Sequence, residues 1–90
     1  MFTQNDFKIL KAIISEKDNT KGIVPYNGTT KSEIIESTGL SKPKVYSTIT
    51  RFQNEGYIMQ GLKVKNAQSF ILTEKGLKEL MLSKGEDINE

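Results

Sequence analysis

The side chains best suited to chemistry lie in a short run that begins at Ser41. Ser41-Lys-Pro-Lys44 is followed by Ser47 and Arg51, so cations and hydroxyls recur along one predicted helix. Lysine and arginine bind phosphates, and serine hydroxyls donate to or accept from bases and phosphates. The free amides at the start of a helix also favour a nearby phosphate. This combination indicates contact with nucleic acid, and the alternative is an ordinary solvated helix face.

The helix that carries these side chains has a clear inner face. Val45, Ile49 and Phe52 lie within about 60° of one another at 100° per residue. Ser41 is a typical N-cap residue, and Pro43 falls in the first turn, where its missing N–H costs little. The basic and hydroxyl side chains therefore point away from the core.

A second helix is predicted immediately before it. Thr30-Lys-Ser-Glu33 matches a capping box and predicts a helix over about residues 31–38, with Ile34 and Ile35 buried. Gly39 stands at the C′ position, where the backbone needs a positive φ. Two short helices joined by a glycine turn are typical of a helix-turn-helix, which holds one helix rigidly against a groove.

A β-hairpin is predicted after the two helices. Residues 57–59 and 69–72 read as strands on either side of a loop at 61–68. Lys63 and Lys65 alternate with apolar residues, which places both lysines on one side of an extended arm. Such an arm is predicted to be a wing that contacts phosphates or the minor groove. The alternative is a surface hairpin that lysine keeps soluble.

The N-terminal helix is predicted over residues 4–17, with Thr3 and Asp6 as its capping signal. Its apolar residues occupy more than one face: Phe2, Phe7, Ile9, Leu10, Ile13 and Ile14. This width predicts burial against both the domain and a partner subunit, and the alternative is burial within the domain alone. We expect a homodimer, because one small winged domain rarely buries enough DNA surface for tight binding.

Two further segments, a short stretch before the second helix and the C-terminal part of the chain, also have predicted secondary structure. Residues 23–26 are candidates for a short strand, limited by Pro25. A last helix is predicted over 74–84, with Leu77, Leu80 and Met81 on its buried side. Gly76 is expected to weaken that helix by roughly 1 kcal/mol relative to Ala.

The composition narrows the possible functions. The 90 residues suffice for one domain, and the absence of cysteine and histidine removes disulfides, thiolate metal sites and the commonest general base. With neither a nucleophile–base pair nor a glycine-rich phosphate loop, we predict that the protein is not an enzyme and needs no metal and no cofactor. Without a signal peptide or an apolar run near about 20 residues, we expect a cytoplasmic protein with no membrane contact.

Charge is unevenly distributed along the chain. The formal net charge is +2, and residues 85–90 carry three acids and no base. Without them, 13 basic residues stand against 8 acidic ones, a net charge of +5. A mildly basic body fits nucleic-acid binding. We therefore divide the chain into a DNA-binding domain at 1–84 and an acidic, disordered tail at 85–90.

The order of elements predicts a mainly α fold with a small β-hairpin wing (α+β), a winged helix-turn-helix. Tyr46 flanks the recognition helix, where it could stack on a sugar or base, pack at a dimer contact or belong to the core. The predicted DNA-binding residues are Thr30, Ser41, Lys42, Pro43, Lys44, Tyr46, Ser47, Thr48, Arg51, Lys63, Lys65 and Asn66.

Over roughly residues 5 to 82 the chain resembles the MarR-like winged helix-turn-helix DNA-binding proteins. The string TGLSKPKVYSTITRFQNEGYI is similar to their recognition helix and the glycine before the wing. The string FILTEKGLKEL is similar to their returning strand and last helix. This chain is shorter than the members that add long dimerisation helices and a ligand pocket, so we expect no small-molecule ligand.

A narrower resemblance is to the centromere-binding adaptors (TubR-like) of tubulin-type plasmid and phage partition systems. It rests on LSKP-x-V, then GYI, then a strand that ends in LT-x-x-G. The resemblance implies a winged-helix dimer that coats repeated double-stranded DNA sites, hands the DNA to a tubulin-like GTPase and represses its own operon. It also implies that residues 41–44 enter the groove and that Lys63 and Lys65 form the wing, although that family's wing usually carries arginine. The alternatives are a transcriptional repressor without a partition role and a winged-helix module that binds proteins.

Overall fold

The first two helices begin at capping boxes in the computed structural model, which describes the backbone of residues 2–88 and the side chains of residues 2–82. The Thr3 hydroxyl accepts from the Asp6 N–H while the Asp6 carboxylate accepts from the Thr3 N–H. Thr30 and Glu33 exchange the same pair of bonds. Within this part of the chain the helices are α1 (Gln4–Ala12), α2 (Lys31–Thr38), α3 (Lys42–Asn54) and α4 (Glu74–Ile88).

The first helix is shorter than the predicted 4–17, which was wrong at its C-terminal end. The Ile13 carbonyl, which a longer helix would bond to Lys17, accepts instead from the Thr29 hydroxyl at 2.5 Å. The Lys17 N–H bonds the Ser15 hydroxyl. Gly22 packs so closely on this point that a Cβ there would lie 2.0 Å from the Ile13 oxygen. A partner far along the chain thus ends α1 at Ala12.

A three-stranded antiparallel sheet crosses the described residues, in the order β1 (Thr29–Thr30), β3 (Ser69–Leu72), β2 (Ile58–Gln60). The candidate strand at 23–26 was wrong. The Ile23 and Val24 amides bond back to the Thr20 carbonyl, and Pro25–Asn27 forms a turn of 3-10 helix. Because these amides are used within their own loop, none is left for a sheet, and the third strand forms at β1.

One hydrophobic core joins the elements of the domain. Its fully or nearly buried members are Ile9, Leu10, Ile13, Ile34, Val45, Ile49, Phe52, Ile58, Phe70, Leu72 and Leu80. The predicted inner face of α3 is confirmed, because Val45, Ile49 and Phe52 have no exposed surface. Half-buried Phe2 stacks on Phe52 with ring centroids 5.3 Å apart. Burial of one whole face of α3 fixes which of its side chains remain outside.

The last helix exposes part of the face that was predicted to be buried. Leu80 is buried as predicted, whereas Leu77 and Met81 are 38% and 63% exposed. Gly76 lies against the Tyr57 carbonyl, so positions 76 and 80 form the inner stripe. Residues one position later on a helix are turned by about 100°, which carries Leu77 and Met81 outward.

The helix also runs to Ile88, past the predicted end at residue 84. Side chains of the acidic segment 85–90 lie outside the described part, and its disorder stays a prediction. In the described residues, none of the helices is both long enough and apolar enough to cross a bilayer. The helix-turn-helix of α2 and α3, followed by the β2–β3 hairpin and α4, is the predicted winged helix-turn-helix architecture.

Candidate nucleic-acid interface

The orientation of α3 is determined by the turn that precedes it. Gly39 adopts φ 72°, the left-handed conformation predicted for it. The Thr38 hydroxyl donates to the Ile34 carbonyl at 2.7 Å and accepts from the Leu40 N–H at 3.2 Å. These bonds close the end of α2 and fix the angle at which the chain enters α3.

The first turn of α3 presents the predicted groove-entering residues. The Ser41 hydroxyl caps the helix by accepting from the Lys44 N–H at 3.3 Å. Lys42 and Pro43 are exposed, and Lys44 is half-buried. The exposed Ser47 hydroxyl donates to the Lys44 carbonyl at 3.1 Å and keeps its lone pairs free to accept. This turn therefore offers cations and hydroxyls on its outer side.

Lys31, which the sequence argument missed, joins α2 to this surface. Its Nζ lies 4.3 Å from the centroid of the Tyr46 ring, and the Lys42 Nζ lies 5.3 Å from the same centroid. Tyr46 is 38% exposed, so its ring is at the surface and not in the core. We call Lys31, Lys42 and Tyr46 the Tyr46 cluster. A cation at the first position of a helix opposes the helix dipole, and this was the available signal that Lys31 has another role.

A hollow of about 240 Å³ connects the Tyr46 cluster to the base of the wing. It is lined by Thr30, Lys31, Ser32, Tyr46, Ala67 and Gln68. The first turn of α2, the flank of α3 and the returning side of the hairpin therefore meet at one surface. Carboxylates are absent from this lining, so an anion could approach without charge repulsion from the hollow itself.

The wing is a tight hairpin and not the extended arm that the alternation of lysines predicted. Val64 and Ala67 pair through two backbone bonds of 2.8 and 2.9 Å. Lys65 and Asn66 between them have φ of 48° and 70°, as the two-residue turns that match strand twist require. The tip therefore consists of Lys65 and Asn66, and Lys63 lies beside it on the outgoing side. All three side chains are exposed.

Two residues that were predicted to contact DNA are buried. Thr48 is 2% exposed on the inner face of α3, so the prediction that it contacts DNA is not supported by its position. Thr30 is 9% exposed, and its hydroxyl caps α2. Thr30 borders the hollow, but its hydroxyl is hydrogen-bonded to Glu33.

Arg51, another predicted contact residue, forms an ion pair within the domain while its side chain stays 45% exposed. Its Nη2 lies 2.5 Å from Asp6 Oδ1 on α1, and the Asp6 side chain is fully buried. Burial disfavours the charged carboxylate and is the largest single influence, but the Thr3 hydrogen bonds and the Arg51 charge together lower the pKa of Asp6. Arg51 is therefore an intramolecular counter-ion in this structure.

The start of α2 is fixed by a second ion pair. The Lys21 Nζ lies 2.9 Å from Glu33 Oε2 and donates to the Gly28 carbonyl at 3.1 Å. Burial raises the pKa of Glu33, but bonds from Lys21 and Thr30 outweigh it and leave the pKa below its ordinary value. These contacts tie the loop before β1 to the first turn of α2. Across the described residues, carboxylates are not grouped in threes that could hold a metal ion.

Solved structures of TubR and MepR proteins share this fold. TubR bound to 24 base pairs of tubC, from Bacillus thuringiensis serovar israelensis, superposes with a TM-score of 0.72 at 25% identity, covering 90% of this chain and 80% of that one. A type III plasmid segregation TubR gives 0.68 at 22%, covering 94% and 90%. MepR, a transcription regulator of the Staphylococcus aureus multidrug efflux pump MepA, gives 0.74 at 14%, covering 98% of this chain and 61% of MepR.

No protein-family model matches the chain, and a comparison with curated proteins gives no significant match. This chain spans about three-fifths of the length of MepR but most of the length of both TubR chains. Its structural neighbours include TubR proteins and MarR-family regulators, and it has their winged helix-turn-helix fold.

Proposed function

We propose that this protein binds specific double-stranded DNA sites as a dimer and serves as the centromere-binding adaptor of a plasmid or phage segregation system. The observation that carries the proposal is the hollow at which the first turn of α2, Tyr46 on the flank of α3 and the returning side of the wing meet. The Lys42 Nζ, in the first turn of α3, lies 5.3 Å from the centroid of the same Tyr46 ring. A helix whose first turn is exposed beside a basic hairpin is suited to a major groove with phosphates on either side.

The side chains divide into two groups by position. Lys44 and Ser47 lie on the outer side of the first turns of α3, where side chains reach base edges. The lysines of the Tyr46 cluster and of the wing lie on the flanks, where phosphates run. Base contacts supply sequence preference, whereas phosphate contacts supply affinity that falls with salt.

Dimerisation is proposed through a surface other than α1. Ile9, Leu10 and Ile13, which suggested a second apolar face, are fully buried in the domain. The outer side of α4 instead exposes Leu77, Met81 and Leu82 at 38%, 63% and 64%. A two-fold dimer would present two recognition helices to paired half-sites, which doubles the contact area of one small module.

The segregation role rests on the similarity to TubR. The match extends over most of both chains at 25% identity, and the TubR of that structure is bound to tubC DNA. A protein that coats repeated sites beside its own promoter would both mark the DNA for a tubulin-like GTPase and repress its operon. We propose both activities for this chain.

A transcriptional repressor without a partition role is the second candidate. The superposition on MepR, at a TM-score of 0.74, favours it. The neighbouring genes separate the two candidates, because an adaptor requires a tubulin-like GTPase gene and a set of direct repeats nearby. A repressor requires neither.

The test is fluorescence anisotropy with two duplexes, one from the region upstream of the gene and one of shuffled sequence. We expect tighter binding to the upstream duplex and a linear fall of log affinity with log salt, by about 0.9 for each phosphate contacted. Absence of a complex at low salt would exclude DNA binding and favour a protein-binding module. Co-sedimentation of the DNA complex with filaments of the neighbouring GTPase tests the adaptor role.

A further inference from the structure

Arg51 is the one arginine of the chain, and it lies on the helix that we propose enters the DNA groove. Arginine is the residue most often used to bind phosphate and guanine. Here its guanidinium is turned toward α1, where its Nη2 lies 2.5 Å from Asp6 Oδ1. This pairing is not explained by the division of α3 into base-reading and phosphate-binding residues.

We propose that Asp6 is a positioning residue of the DNA-binding surface, which holds Arg51 against α1 and withholds it from DNA phosphates. The proposal rests on the proposed DNA binding. It assigns the phosphate contacts to lysines at the start of α2, the start of α3 and the wing. In this proposal the second half of α3 is held against α1 and makes no contact with DNA phosphates.

The geometry of the carboxylate supports this assignment. Asp6 is fully buried, and its Oδ2 accepts from the Thr3 N–H at 3.0 Å. Among the described residues, Oδ1 accepts no hydrogen bond of ordinary geometry, and Arg51 is its counter-ion through the ion pair alone. Removing the cation would leave a buried carboxylate without its counter-ion, which is strongly unfavourable. A DNA phosphate competing for Arg51 would have to overcome that cost, whereas Lys42 or Lys31 carries no such partner in the contacts around Tyr46.

The test compares wild type with Asp6→Asn, Arg51→Gln and the double variant on both duplexes between about 50 and 200 mM salt. Arg51→Gln should keep the wild-type salt slope, because no phosphate contact is lost. Asp6→Asn releases the guanidinium and should steepen the slope by about 0.9, which is about 3.5-fold more affinity lost over this range. The double variant should return to the wild-type slope.

Two outcomes overturn the proposal. If the Arg51→Gln substitution flattens the slope of log affinity against log salt by about 0.9, Arg51 already contacts a phosphate in the wild-type complex. Asp6→Asn that weakens binding without a change of slope would show a structural role only. If the Arg51→Gln protein does not fold, the salt slopes of Asp6→Asn and of the double variant are compared instead. Equal slopes in these two proteins would contradict the release of Arg51.

Failure of the DNA-binding proposal is separable. If the wild-type protein forms no complex with DNA at about 50 mM salt, the DNA-binding proposal is rejected. Thermal unfolding of the same four proteins still tests whether Asp6 and Arg51 interact. If Asp6 and Arg51 interact, the fall in Tm of the double variant should be smaller than the sum of the falls in the two single variants. Additive losses would overturn the pairing itself.

Discussion

The Nζ of Lys31, at the first position of α2, lies 4.3 Å from the centroid of the Tyr46 ring on α3. A cation at this position is disfavoured by the helix dipole, and the aromatic face offsets that cost. The contact also links the two helices of the helix-turn-helix on their outer side. Lys31 is therefore held at the hollow between α2 and the wing, where the proposed DNA binding would bring a phosphate.

Replacement of Lys31 by alanine should weaken binding to both duplexes by a similar factor. One phosphate contact is lost, so the salt slope should fall by about 0.9. Lys8→Ala, which removes an exposed lysine from α1, is the matched control and should leave affinity and slope unchanged. An unchanged slope in Lys31→Ala would place the phosphate elsewhere.

Lys44→Ala and Ser47→Ala should act on sequence preference. If these side chains reach base edges, each should reduce discrimination between upstream and shuffled duplexes by about 1 to 3 kcal/mol. Anisotropy titrations on both duplexes measure the ratio directly. Equal loss on both duplexes would show contact with phosphates alone.

The wing should contribute affinity without sequence preference. Lys63→Ala combined with Lys65→Ala removes two cations from the side and tip of the hairpin, and should lower the salt slope by up to about 1.8. Binding should weaken evenly on both duplexes. Unaltered affinity for every duplex would remove the wing from the interface.

Those parts of the fold that depend on neighbouring residues could be predicted from the sequence. The capping boxes at Thr3 and Thr30, the left-handed Gly39 and the inner face of α3 involve partners within a few residues. Helix caps and apolar spacing encode such features directly. The candidate helix-turn-helix followed from them.

The features that the sequence did not predict depend on distant partners or on an unusual turn. The end of α1 is set by Thr29, and the position of Arg51 by Asp6. The wing turn places Lys65 and Asn66 at positive φ, where Asn-Gly would have been the recognisable signal. Lys31 meets Tyr46 only once α2 and α3 pack.

Gly76 reverses an expectation based on helix propensity. Propensity alone favours Ala by about 1 kcal/mol at an interior helical site. A Cβ at Gly76 would lie 2.0 Å from the Tyr57 carbonyl oxygen, so Gly76→Ala should instead destabilise the fold, by about 1–3 kcal/mol. Gly39→Ala is the comparison, because its Cβ meets nothing within 4 Å and its cost is limited to the positive φ, about 1–2 kcal/mol. Urea unfolding measures both, and a Gly76→Ala protein more stable than wild type would contradict the packing of Gly76 against the Tyr57 carbonyl.

Acid should destabilise the protein partly through Asp6. Its pKa in the folded protein lies below the ordinary value of 3.8. The carboxylate therefore stabilises the fold at pH above 3.8, and this contribution is lost as the pH falls through the lower folded pKa.

Asp6→Asn should accordingly cost about 1–3 kcal/mol at pH 7 and show a shallower loss of stability on acidification. Glu36→Gln removes an exposed carboxylate from α2 and is the matched control, which should retain the wild-type acid dependence. The measurement is the free energy of urea unfolding between pH 7 and pH 3. Parallel curves for wild type and Asp6→Asn would mean that Asp6 is not the group whose protonation weakens the contact between α1 and the recognition helix.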